Sequence, residues 1–176
     1  SRPHPAWLLL GGTLAAGSLV GWWVPQDAFV WQADRALAQP WRLLTAAWVH
    51  LSLAHLLINL AGTLVIVAFG LAAGCGRRDA GAWLVSWPLT HALLWLHPGL
   101  HSYAGLSGVL HAGVAVACMA LVTRAHGLPR GIGAAVLLGL MAKLALEIRC
   151  RQRSNTARIG VFPSPWWRTP RALQPD

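Results

Sequence analysis

The sequence predicts an all-α fold, a polytopic membrane helix bundle of about five transmembrane helices. Three observations predict it. Hydrophobic residues make up 56% of the 176 residues and charged residues 11%, against about 25% charged in an ordinary soluble domain. Several uncharged runs reach the length that a bilayer crossing needs, about 20 residues. There are 11 tryptophans, a residue enriched at the two membrane interfaces. The length suits one domain. Residues 1–147 are expected to form it, with 148–176 as a basic tail.

Ala6 to Val24 is the first expected span. It is uncharged and rich in Gly and Ala, which permit close helix packing. It has no evident signal-peptide cleavage site and reads as a retained span. Pro25-Gln26-Asp27 ends it. Ala28 to Trp41 is a polar-aromatic connection, and Trp31 and Trp41 place it in the membrane interface. Leu43 to Gly70 is the second span and carries His50, His55 and Asn59. Leu71 to Ala80 is a turn with Arg77 and Arg78. Trp83 to Leu96 is the third span, with Pro88 and His91 inside it. A turn without Lys or Arg, His97 to His101, leads to the fourth span, Leu106 to Val122. Arg124 to Arg130 is a basic turn. Gly131 to Leu146 is the fifth span, with Lys143 and Glu147 at its end as an i,i+4 ion pair. The tail shows no helical or strand period and is expected to be disordered or loosely bound to lipid.

Charge excludes some functions and orients the bundle. The net charge is +9, but eight Lys/Arg and four acids precede Ile148, and six Arg and one acid follow in 29 residues. No basic-aromatic platform accompanies the tail, so nucleic acid is not an expected partner. Cys75, Cys118 and Cys150 are too widely spaced for a disulfide framework or a zinc pair. Basic turns mark the cytoplasmic side. Arg77 and Arg78, then Arg124 and Arg130, put the N-terminus in the cytoplasm. Five spans then put the Arg-rich tail on the opposite side, against its charge.

Two stretches carry chemistry. Tyr103-Ala104-Gly105-Leu106-Ser107-Gly108-Val109-Leu110-His111 sets one serine between glycines at the mouth of an apolar run. Ser107 is either packing material, as small residues often are between membrane helices, or a nucleophile. His50-x4-His55-x3-Asn59 puts three costly polar side chains in another apolar run, where such residues are functional candidates. On one helix, His55 and Asn59 share a face. His50 and His55 stand about 140° apart, which is poor for one metal, and no Glu lies between them for the zinc-protease arrangement. No metal or cofactor is therefore expected. His55 and Asn59 read better as paired donors to an oxyanion. Gly105 and Gly108 let the backbone approach a neighbour closely. A serine also needs a base, and His111 stands one turn on. His91 and His101 are weaker candidates and read more simply as bystanders. A small transporter is disfavoured, because the spans carry almost no charge.

The motifs Trp41-Arg42-x-x-Thr45, His50-x4-His55-x3-Asn59 and Gly105-x-Ser107-Gly108, in this order, resemble the rhomboid family of intramembrane serine proteases. The resemblance covers about residues 6 to 147. The Ser-Gly-Val-Leu-His continuation is most similar to the bacterial rhombosortase branch, whose members are associated with exported proteins bearing a C-terminal Gly-Gly sorting tail. The resemblance implies that Ser107 is the nucleophile. His55, Asn59 and the Ser107 N–H would form the oxyanion hole. His50 would tie the second helix to the first loop, and Trp41 and Arg42 would brace that loop. The position of His111 is usually a Tyr in the family. The implied partners are membrane lipid and a single-pass or C-terminally anchored protein substrate, at the bacterial inner membrane.

The family has six helices and takes its base from a histidine on the sixth. Here no histidine follows His126, which lies about 28 Å of helix from Ser107. His111, on the serine's own helix, is poorly aligned for the role. No general base is found, and the chain as written is expected to lack hydrolytic power. The alternative is a catalytically dead rhomboid-like protein that binds transmembrane helices. The missing base and the misplaced tail coincide, so a reading frame broken near Ile148 is expected. Resequencing codons 140–176 tests this, and a confirmed frame with no apolar, histidine-bearing segment in another frame would sink it.

Overall fold

A computed structural model describes residues 5–97 and 99–160, with side chains through residue 149. Five long helices stand near the five expected places: α1 (Pro5–Gly21), α3 (Leu53–Ala72), α4 (Arg77–Ala92), α5 (Ser107–Arg124) and α6 (Leu128–Gly160). A short helix, α2 (Arg42–Thr45), lies in the first connection. Two two-residue strands, β1 (Trp31–Gln32) and β2 (Ser102–Tyr103), pair antiparallel with Trp31 opposite Tyr103. The fold is therefore all-α apart from this clip. The clip was not legible in the sequence, because two residues carry no period.

The second expected span needs correction. Leu43 to Trp48 belongs to α2 and a 3₁₀ turn (Ala46–Trp48), and α3 starts only at Leu53. Hydropathy runs unbroken through this break. The stop signal is Ser52, whose extended backbone and hydroxyl cap α3 by accepting the His55 N–H at 3.1 Å. His50 consequently lies outside the helix that carries His55. The angular separation expected from one continuous helix does not apply.

Other bounds shift as well. α1 stops at Gly21, three residues before the expected Val24. α4 begins at Arg77, inside the expected turn. α6 does not stop at Leu146 but continues to Gly160, so the first part of the tail is helical. The expectation for residues 161–176 lies outside the described residues. Lys143 and Glu147 form the expected ion pair, at 2.7 Å. Residues up to Leu140 form one compact unit and those from Met141 another.

Tryptophan does more than line an interface. Trp7, Trp31 and Trp83 are wholly buried. Trp31 packs edge-on against Trp95 at 6.0 Å, inside the protein. Trp7 and Trp83 meet at 4.5 Å in the core, and the Trp83 indole N–H donates to the Val109 carbonyl at 2.9 Å. Such rings bury much apolar area, and of the three only Trp83 has a partner for its indole N–H among the described residues. They fit because the facing helices are thin: Trp7 lies against Gly70, and Trp83 against Gly113. The bundle's outward faces stay apolar, as at Ile58, Leu64 and Val65. Among the described residues, α3, α5 and α6 through Arg149 are long and apolar enough to cross a membrane, and α1 is a shorter apolar helix.

The far end of α5 from Ser107 is held by an ion pair. Arg124 donates to Asp79 in two bonds, at 2.8 and 2.6 Å, and Asp79 also accepts the Gly76 N–H at 2.7 Å. Asp79 stands in the first turn of α4, ahead of the expected span from Trp83. The Arg124 hydrogen bonds hold its carboxyl below the usual aspartate value, against burial and with help from Gly76. A depressed carboxyl adds stability above its unfolded pKa, and that stability is lost as pH falls through the folded value. The thermal midpoint is expected to be flat above about pH 4 on this account and to fall below it. Asp79→Ala is expected to cost about 1.5–3 kcal/mol and to flatten the acid limb, read by thermal unfolding from pH 3 to 7. Nearby Cys75 is buried, and burial pushes its thiol up to about 11, so it is a structural thiol and not a reactive one.

Candidate active site

Ser107 is the first residue of α5, reached through a tight turn from β2. Gly105 makes the turn, with φ +121°, a conformation that side chains rarely adopt. Its N–H donates to the Ala46 carbonyl at 2.9 Å. A Cβ at Gly105 would stand 2.7 Å from Cε1 of His55. Glycine is thus required twice here, for the backbone angle and for the space. The consequence is that the His55 ring lies against the backbone two residues before the serine. Ser107 itself is half-buried, and Leu106 beside it is wholly buried and fixes the turn in the core.

The Ser107 hydroxyl lies 3.2 Å from the Tyr103 hydroxyl. The Tyr103 ring packs on His91 of α4, with centroids 5.7 Å apart. His91 is wholly buried, and its Nδ1 donates to the Leu43 carbonyl at 2.7 Å. His111 sits one turn along α5, and its Nδ1 donates to the Ser107 carbonyl, not its hydroxyl, at 2.6 Å. A carbonyl only accepts, so in both rings the proton is on Nδ1. Gly108 lets α5 approach α4: a Cβ there would meet Thr90 at 2.7 Å and the Tyr103 hydroxyl at 3.5 Å.

On the other side, Asn59 is almost wholly buried and donates its Nδ2 to the His55 carbonyl at 2.9 Å. His55 is half-buried, and its ring meets that of His50 edge-on at 5.1 Å. His50 is wholly buried, with its Nδ1 donating to the Trp48 carbonyl at 3.1 Å. The Gln26 side chain donates to the His50 carbonyl at 3.0 Å. His50 therefore joins the start of α3 to the first connection. Among the described residues, no three His, Cys, Asp or Glu side chains gather as a metal site.

Arg42 pins the first connection. It is 3% exposed and donates to the Asp27 carbonyl at 2.9 Å, to the Val30 carbonyl, and to Gln39. Thr45 adds a bond to the Phe29 carbonyl at 3.0 Å. Trp41 is half-exposed, and the hydrogen bonds that brace the loop come from Arg42 and Thr45. Arg42→Ala leaves carbonyls inside the loop without donors. It is expected to cost about 2–4 kcal/mol and to open residues 27–41 to protease, checked by thermal unfolding and limited proteolysis.

A model of the Rhomboid domain matches residues 37–162. The chain belongs to the rhomboid family. This is a family of intramembrane serine proteases, and with its long apolar helices the chain is an integral membrane protein. A search of the curated proteins and a search of the solved structures each returned no match.

As a rhomboid site, the arrangement has a serine at a helix N-terminus, where unpaired N–H groups and the helix dipole favour negative charge. It has a histidine against that serine's loop, and an asparagine one turn along the histidine's helix. Its histidine inventory is less complete. α5 runs unbroken from Ser107 to Arg124, so His126 lies beyond its opposite end. Two residues close to the serine went unmarked or underweighted in the sequence. Tyr103 meets the hydroxyl directly, and His91 supports Tyr103. Neither has a short-range signal: Tyr103 is four residues from Ser107 across a non-helical turn, and His91 comes from another helix.

Proposed function

We propose that this chain is the body of a rhomboid-type serine endopeptidase of the bacterial inner membrane, with its N-terminus in the cytoplasm. The observation that carries the reading is the placement of His55 against Gly105, at the turn that presents Ser107. Ser107 Oγ attacks the scissile carbonyl carbon. The oxygen that becomes negative is held by the Ser107 N–H, the Asn59 amide and the His55 ring, donors already positioned in a site of low dielectric. The Ser107 proton passes to water, the carbon–nitrogen bond breaks as the amine takes a proton back from that water, and a second water attacks the acyl-enzyme, returning a proton to Ser107 Oγ and releasing the acid. The substrate is a single-pass or C-terminally anchored exported protein, by likeness to the rhombosortase branch.

The serine's proton needs an acceptor, and none of the eight histidines takes that role in this reading. His111 is tied by Nδ1 to the Ser107 carbonyl, and His126 is a helix length away. Little or no turnover by these residues alone is the expected result. A second reading follows from the unassigned proton acceptor: a rhomboid-like protein that binds transmembrane helices without cutting them. Reaction of the detergent-solubilised chain with a fluorophosphonate separates the two. Labelling that Ser107→Ala removes supports the protease. A folded chain that stays unlabelled supports the binder and contradicts the proposal.

A further inference from the structure

We infer that Tyr103 is a positioning residue for Ser107, and that buried His91 is the support that holds Tyr103 there. The inference rests on the reading of Ser107 as a nucleophile and deepens it. The hydroxyl pair, at 3.2 Å, is the starting observation. A free serine hydroxyl samples three staggered χ1 wells, and a partner at fixed distance selects one of them. The partner must itself be fixed for this to matter.

Tyr103 is fixed from several elements. Its backbone is in the β1–β2 clip, opposite Trp31, which is wholly buried. Its ring packs on His91 at 5.7 Å. His91 is in turn anchored by the Leu43 carbonyl just after the start of α2, at 2.7 Å. Gly108 makes room for Thr90 of α4, which a Cβ there would meet at 2.7 Å, and so lets α4 with His91 lie close to the first turn of α5. The first connection, α2, α4 and α5 thus converge on one oxygen atom. That oxygen meets the serine oxygen and no catalytic acid is involved, so Tyr103 acts through Ser107 and is not itself a catalytic residue.

His91 carries a second sign that this cluster is more than packing. With the proton on Nδ1, its Nε2 is an acceptor, and that atom is buried without a partner among the described residues. An unpartnered buried acceptor is costly, and His50 Nε2 shares that state here. Apolar residues would fill the space beside α2 at lower cost. A histidine here gives the Tyr103 ring a rigid, hydrogen-bonded platform instead.

The test is the rate of fluorophosphonate labelling on the full chain in detergent, resolved into the saturating rate kinact and the binding constant KI. In that reaction the serine oxygen–phosphorus bond forms, the phosphorus–fluorine bond breaks, fluoride leaves and the serine proton passes to water. Tyr103→Phe keeps the ring and removes the hydroxyl. Its kinact is expected to fall about fivefold to tenfold, the factor that one ordinary hydrogen bond makes, with KI and the thermal midpoint unchanged. Tyr103→His, which returns a hydrogen-bonding atom, is expected to recover most of the loss. Should Tyr103→Phe fail to fold, His91→Gln is measured in its place and is expected to lower kinact about threefold. Unchanged kinact in the folded variant overturns this inference while leaving the proposed function standing. An unlabelled parent chain overturns both.

Discussion

Gly105→Ala is expected to abolish the reactivity of Ser107 and to destabilise the chain by about 2–6 kcal/mol. The new methyl group meets two independent penalties. A backbone at φ +121° costs a non-glycine residue about 1–3 kcal/mol. The methyl carbon would also stand 2.7 Å from the His55 ring, and overpacking of this kind costs about 1–3 kcal/mol. Relief requires either the turn or the ring to move. If the turn moves, it lets go of Ala46 and swings Ser107. If the ring moves, it leaves the place from which it can face the oxyanion. Thermal unfolding reads the stability, and fluorophosphonate labelling reads the serine. Wild-type labelling by Gly105→Ala would show that His55 and the turn are not coupled.

Asn59→Ala is expected to slow chemistry at Ser107 by about 10²–10³-fold, the usual cost of one oxyanion donor. The stability cost is expected to be smaller, about 1 kcal/mol. Asn59 donates one amide hydrogen to the His55 carbonyl, at 2.9 Å, which leaves the other for the site. The side chain is nearly wholly buried, one turn from His55 on α3. Alanine removes both hydrogens, but α3 is otherwise long and well packed and is expected to persist. A large loss of stability with little loss of rate would make Asn59 a helix-packing residue instead.

Much of this was legible in the sequence for physical reasons. Long uncharged runs have few stable solutions in lipid other than helices, so the five helices were readable to within a few residues at most ends. Gly105-Leu106-Ser107-Gly108 was readable because a serine framed by glycines at a run's mouth is unusual among packing residues. The break between Trp48 and Leu53 was not readable by hydropathy, because Leu43 to Val49 is as apolar in the loop as it would be in a helix. Only the Ser52 cap announces it. Misreading that break moved His50 onto α3 and hid its edge-on contact with His55. The burial of Trp31 within the protein was not readable for a related reason: the β1–β2 clip that buries it depends on Tyr103, 72 residues away. Arg42 was found through its motif, but its partners, the Asp27 and Val30 carbonyls, are backbone atoms that no residue pattern encodes. The tail was read as irregular from its Arg, Pro and Trp content, yet the α6 backbone carries through its first part to Gly160.

The central claim is that Ser107 is a built nucleophile rather than a small residue used for packing. The most direct measurement is the mass of the chain after exposure to a fluorophosphonate, with the modified peptide mapped. The account predicts a single adduct on Ser107, absent from Ser107→Ala. A folded chain that takes up no adduct, or takes it up at another serine, would contradict it.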